Sequence, residues 1–232
     1  MALVFRASSQ NSSTTGTAIS VSAPAGTSPG DLVKVIVHGN GQTTIADNNG
    51  ATPFTEQIND YKPNVGSGHT MSVFSRVIQV GDPTTYNFTM GASGRWGVVA
   101  ISAYDTVTPQ DDVAPSTTNA TNRDSAENGL ASTASINTLV DNAVHIIVAG
   151  WDTSAIGTIS TPSGYTLLAN ANGGGQPVHV SYKVITTAGA TGSQGVNNTE
   201  YGTYITFSFS IKSVATYIPR MGFVNHQNPG VV

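Results

Sequence analysis

A chain of 232 residues is long enough to bury a sizeable core, either as one large β-domain or as two of about 110 residues. Charged residues make up only 9%, against roughly 25% in ordinary soluble domains, and the net charge is −4. The nine Lys and Arg are spread singly, which excludes the clustered cations of a nucleic-acid groove or a polybasic membrane patch. Absence of cysteine excludes a disulfide framework and a thiolate metal site.

In chain order, residues 7–17 are a small polar tract read as a loop or a loosely held edge segment. The apolar run before Arg6 is too short for a signal-peptide core, so synthesis in a host cytoplasm is expected. Residues 19–23 begin the first strand, and Pro29-Gly30 punctuates the turn after it. Residues 31–39 alternate, with Val33, Val35 and Val37 on one face and Lys34 and His38 on the other, the pattern of a half-buried antiparallel strand. Asp47-Asn48-Asn49-Gly50 reads as a tight turn. Strands are then expected at 52–59, 71–80, 85–90 and 96–104, at the spacing of a β-sandwich.

Residues 109–130 are polar, carry Pro109 and Pro115, and are expected to be a connector between two halves. Further strands are expected at 134–139, 144–149, 165–169, 178–186, 194–198 and 203–211. Ile205, Phe207, Phe209 and Ile211 alternate there with Thr206, Ser208 and Ser210. Only 125–130 and 141–144 could hide a helical turn. Residues 213–232 contain Pro219 and Pro229, which bar a central strand, and Tyr217, Ile218, Met221, Phe223 and Val224, which are too apolar for a solvated tail. Such a segment is expected to lie in a groove of its own domain or of a neighbour.

The chain also repeats itself. DLVKVIVHG (31–39) matches NAVHIIVAG (142–150), MSVFSRVIQVGDPT (71–84) matches VHVSYKVITTAGAT (178–191), and GRWGVVAISAYD (94–105) matches YGTYITFSFSIK (201–212), offset by 107 to 111 residues. An internal repeat outranks other signals of architecture. The expected fold is therefore an all-β, jelly-roll-like double-sheet sandwich of two duplicated halves, 1–108 and 131–212, with a 109–130 connector and a 213–232 arm.

No reaction is named by the residues. The histidines stand at 38, 69, 145, 179 and 226, none three to five residues from another, so metal ligation is not expected. Asp47 and Asn49 lack the further ligands of a calcium loop, and turn chemistry accounts for them. Asp111-Asp112 is a carboxylate pair on the connector, but no inward acid pair is placed for glycoside hydrolysis. No nucleophile elbow or dinucleotide loop occurs. No enzyme activity and no cofactor are expected. Trp96 and Trp151, with Tyr61, Tyr165 and Tyr201, are the candidates for a sugar-stacking platform.

Ala23-Pro24-Ala25-Gly26 through Gly30-Asp31-Leu32-Val33, Ser75-Arg76-Val77-Ile78, residues 81–89 (GDPTTYNFT) and Ile101-Ser102-Ala103-Tyr104 carry a resemblance. In these turn-and-strand patterns the chain resembles bacteriophage virion-associated β-sandwich proteins of heads or tails, over roughly residues 19–212. The resemblance implies a virion location, no catalytic residues, and partners among the major capsid or tail proteins and further copies of the chain. The expected role is capsid decoration on the outer head surface, with Tyr217, Ile218, Pro219, Met221, Phe223 and Val224 as the contact residues. The alternative is a tail or fibre module that binds cell-surface carbohydrate through Trp96 or Trp151.

Overall fold

The structure, a computed structural model, describes residues 3–40, 44–62, 68–105, 108–122, 129–153, 157–173, 176–200 and 202–212. They form an all-β sandwich of antiparallel sheets with no helix among them. Eight strands precede residue 105: β1 (Val4–Ser13), β2 (Ala18–Ser22), β3 (Leu32–Asn40), β4 (Ile45–Asp47), β5 (Thr55–Lys62), β6 (His69–Val77), β7 (Thr85–Met90) and β8 (Trp96–Tyr104). Ten follow: β9 (Gln110–Asn122), β10 (Ala131–Ser132), β11 (Asn137–Thr138), β12 (Ala143–Asp152), β13 (Ile159–Ser160), β14 (Thr166–Gly173), β15 (Gln176–Ile185), β16 (Gly189–Ala190), β17 (Gly195–Asn198) and β18 (Gly202–Lys212). The long inner strands are rich in Val, Ile and Phe, side chains that pack well on a pleated surface. Turns set their starts: Gly30 precedes β3 with φ 92°, and Asn142 precedes β12 with φ 59°, a left-handed conformation that Asn tolerates.

One large sheet has the order β1-β8-β3-β6-β5 and faces a small sheet β2-β7-β4. The other has the order β9-β18-β12-β15-β14 and faces β10-β17-β13, with β11-β16 alongside. Strand for strand, the order of the first set recurs in the second. The large sheets pack on each other, so the molecule has four layers. Leu32, Ile36, Met71, Val73, Val99 and Ile101 meet Val144, Ile146, Val148, Ile205, Phe207 and Phe209 in one central core shared by both halves. A second core, with Val33, Val35, Val37, Phe74, Tyr86, Phe88 and Trp96, lies under the first small sheet. A third, smaller one, with Ile147, Ala149, Trp151, Val196 and Tyr204, lies under the other.

This layering corrects the half-buried reading of residues 31–39. Both faces of β3 are covered: Lys34 and His38 are buried as fully as Val33 and Val35. The same holds for β18, whose Thr206, Ser208 and Ser210 are all inaccessible. The expected connector also changes, because residues 110–122 form β9, an edge strand hydrogen-bonded along β18. The polar tract at 7–17 is largely β1, the corresponding edge strand of the first large sheet, paired with β8.

The repeat needs a shift of one residue in two of its three segments. Leu32 faces the central core and corresponds to Val144, a separation of 112 residues, because Leu32 pairs with Ala103 as Val144 pairs with Ile211. Likewise Val99 corresponds to Phe207, a separation of 108. The spacing of 107 holds only for β6 and β15, where Met71 matches Val178. A slip of one residue reverses every side chain between faces. Matching on composition fails here because the faces of β12 and β18 under the small sheets carry His, Thr and Ser, where β3 and β8 carry Val and Ala.

Each ladder joining an edge strand to its large sheet contains a register shift, at Phe5/Ala7, Glu56/Ile58, Leu167/Ala169 and in the β9–β18 pairing. The four inner ladders run without one. Bulges bend an edge away from a flat template, which protects it from pairing with another chain.

Candidate functional site

The two tryptophans do not make a platform. Trp96 lies on β8 in the core under the first small sheet and is 5% exposed; Trp151 lies on β12 in the core under the second and is 0% exposed. The central layer separates them, and neither ring face is open to a sugar. The Trp151 indole N–H donates to the Gly129 carbonyl at 2.9 Å. Tyr165 packs edge-on to His145, with ring centroids 5.7 Å apart. Tyr217, Ile218, Pro219, Met221, Phe223 and Val224, and likewise Tyr201 and His226, lie outside the described residues. Asp47 acts as turn chemistry requires: its carboxylate accepts from the Asn49 backbone N–H at 3.0 Å and from the Phe54 N–H at 2.6 Å.

Polar groups instead collect between the sheets. At one end of the central layer, Lys34 Nζ donates to Asp111 Oδ1 on β9 and to Gln57 Oε1 on β5. The Gln57 amide in turn donates to Asp111 Oδ2. Lys34 is 1% exposed and its Nζ lies 5.7 Å from the centre of the Phe209 ring. Burial lowers its pKa, and the Asp111 carboxylate works against that. Asp111 and Asp112 are no carboxylate pair, since neighbours on a strand point to opposite faces. Asp112 accepts from Ser210 Oγ at 3.0 Å and from the Leu139 N–H at 2.8 Å, with Lys212 Nζ at 3.6 Å.

At the other end, His38 Nε2 and His69 Nδ1 are 2.7 Å apart, both rings fully buried, so one ring N–H donates to the other ring's lone pair. Burial, and then the neighbouring His69, push His38 well below its ordinary value. The backbone of Gln176 and Pro177 opposes this weakly, and His38 Nδ1 makes no hydrogen bond of good geometry. Across the layer Gln176 Nε2 donates to Asp152 Oδ1 at 2.6 Å, with Asn40 Nδ2 at 3.5 Å from the same oxygen. Gly150 gives His38 its room, because a β-carbon there would lie 3.1 Å from the imidazole. The sequence spacing of 31 residues conceals this pair; the usable signal is that β3 alternates and places His38 on the face of Leu32 and Ile36.

Two more buried histidines sit between the second large sheet and its small sheets. His145 has Nδ1 2.7 Å from the Tyr165 hydroxyl and Nε2 2.7 Å from Ser208 Oγ. His179 Nδ1 donates to Asn170 Oδ1 at 2.8 Å, and its Nε2 is 3.0 Å from Ser181 Oγ. Burial takes both histidines down to about 4, with Lys183 adding to the effect at His145, and takes Tyr165 up to about 12. Among the described residues no group of three or more His, Cys, Asp or Glu is placed to hold a metal ion.

A shallow groove of about 450 Å³ opens beside the Lys34 cluster, lined by Leu32, Gln57, Arg76, Val77, Pro109 and Asp111 among others. Its arginine is already engaged, in a two-point ion pair with Asp82 and a bond to the Pro53 carbonyl. Comparison of the chain with protein-family models, with curated proteins and with solved structures found no match.

Proposed function

We propose that the protein is a phage virion structural component that decorates or cements the outer surface of the head, with its C-terminal segment as the docking arm. The observation that carries the reading is the course of β18. This last described strand is buried from Gly202 to Ile211 in the interior of a large sheet, and residues 213–232 with their apolar cluster continue from it. A segment so anchored transmits load from its contact into the shared core. Bulged edges on both large sheets favour a discrete particle component over an open polymer.

We also propose that each half is a jelly-roll-like unit. In a jelly roll, early strands lie beside late ones and the chain passes back and forth between the two sheets. β1 lies beside β8 and β2 beside β7, and only β5 departs from alternation by joining β6. The recurrence of that order from β9 onward supports duplication of one such unit.

Deleting residues 214–232 is expected to leave a folded body that no longer binds particles lacking this protein; undiminished binding by the truncated chain refutes the arm. Tail or fibre attachment to carbohydrate draws no support from Trp96 and Trp151, whose rings are buried.

A further inference from the structure

Ion pairs that join side chains include Arg6–Asp31, Lys34–Asp111, Arg76–Asp82 and Lys212–Asp112. Two use guanidinium groups, and the Lys212 side chain is 27% exposed. Among these pairs Lys34 alone presents a primary amine withdrawn from water, 1% exposed. It lies against a carboxylate from the other half of the molecule. We propose that Lys34 and Asp111 condense to an intramolecular isopeptide bond, an amide between Lys34 Nζ and Asp111 Cγ that ties β3 to β9.

The surroundings meet the requirements of that reaction. An ammonium ion is not a nucleophile, and burial of Lys34 favours its neutral form. Proton transfer within the pair then leaves an amine beside a carboxylic acid, with no external base needed. The amine lone pair attacks Cγ to form the C–N bond. Charge developing on Oδ2 is met by the Gln57 amide N–H, which already donates to that oxygen. Gln57 Oε1 accepts from Nζ and so fixes the direction of the lone pair. The Cγ–O bond to the second carboxyl oxygen breaks, and that oxygen leaves as water with the two protons the amine has given up. Atoms balance without oxidant, reductant or cofactor. The Asp111 side chain is 31% exposed and lines the groove, which gives the water a way out. The Phe209 ring near Nζ keeps bulk water from the other side.

The test is the mass of the full-length chain under denaturing conditions. After allowance for removal of Met1, it is expected to fall short of the sequence mass by one water molecule. Trypsin should then fail to cut after Lys34 and release a branched species joining residues 7–76 to residues 96–123, since Pro63 protects the bond after Lys62. The closed loop spans 77 residues, so the linked chain should also run ahead of an unlinked one on a denaturing gel. Lys34→Arg and Asp111→Ala should each restore the full mass, and Gln57→Ala should lower the linked fraction. A native chain at full sequence mass that trypsin cleaves after Lys34 overturns the proposal, and needs no variant to fold. A mass loss that survives Lys34→Arg or Asp111→Ala overturns it equally.

Discussion

Acid should loosen this fold in a window that carboxylates cannot explain. His145 and His179 are buried neutral, with pKa values brought from 6.5 to about 4. As pH falls through about 6.5 the unfolded chain binds a proton at each site, whereas the folded chain binds none until about 4. The unfolded state therefore holds more protons throughout that interval, and stability falls as pH falls. A drop of this size at about 1.4 kcal/mol per unit corresponds to about 3 kcal/mol for each histidine. The two together remove about 6 kcal/mol by pH 4, against a total stability of about 5–15 kcal/mol for a typical domain. His38 acts in the same direction.

Urea unfolding followed by tryptophan fluorescence is a suitable assay, because Trp96 and Trp151 report from two different cores. Stability should decline by about 3 kcal/mol per pH unit once pH is well below 6.5, with two to three protons taken up on unfolding. Ordinary carboxylates titrate below about pH 5, so the interval from about 6.5 to 5 isolates the histidines. His179→Gln, which keeps a polar group near Asn170, should remove about one proton from that slope. A stability that stays level from neutral pH to about 5 refutes the reasoning.

Phe207→Ala opens the shared central core at a fully buried site and should cost about 3–5 kcal/mol, with the fluorescence transitions of both tryptophans moving together in urea. Gly97→Val places a β-carbon 2.8 Å from the Gln176 carbonyl oxygen across the layer, so a loss of about 1–3 kcal/mol or more is expected in the same assay. Trp151→Phe leaves the Gly129 carbonyl without its indole donor and should cost about 1–3 kcal/mol, measured by thermal melting. Val80→Ser, at a site 89% exposed, should change the melting free energy by less than about 0.5 kcal/mol.

The all-β class and most of the strand positions were legible because each depends on local alternation and on turn residues. β6, β7 and β8 fall within a few residues of the spans read from sequence. What lies between the halves was not legible. Alternation shows that a strand has two faces, but it does not say whether the second face meets water or another sheet. Lys34, His38, Ser208 and Ser210 carry polar groups that suggest solvent, and all four are buried. Residues 110–122 were equally misleading, because an edge strand needs few apolar side chains and tolerates Pro115 where a central strand does not.

The polar clusters also explain why the sequence repeat was misaligned and where the two sets of strands differ. Under the first small sheet the large sheet presents Val33, Val35, Val37 and Val98 to aromatic partners. Under the second it presents His145, Thr206, Ser208 and Ser210, and that core keeps only a few apolar side chains. Hydrogen bonds between buried side chains replace packed hydrocarbon there, with a net gain of only about 1 kcal/mol each and a large penalty when one partner is protonated out of place. Two sheets of the same strand order thus differ in their response to acid. The first outer core is mainly apolar and has no histidine among the described residues, so the second half should lose its outer layer first as pH falls. Hydrogen exchange near pH 5 tests this directly: amides of β17 and β10 should lose protection before those of β2 and β7, and simultaneous loss would contradict the assignment of acid sensitivity to His145 and His179.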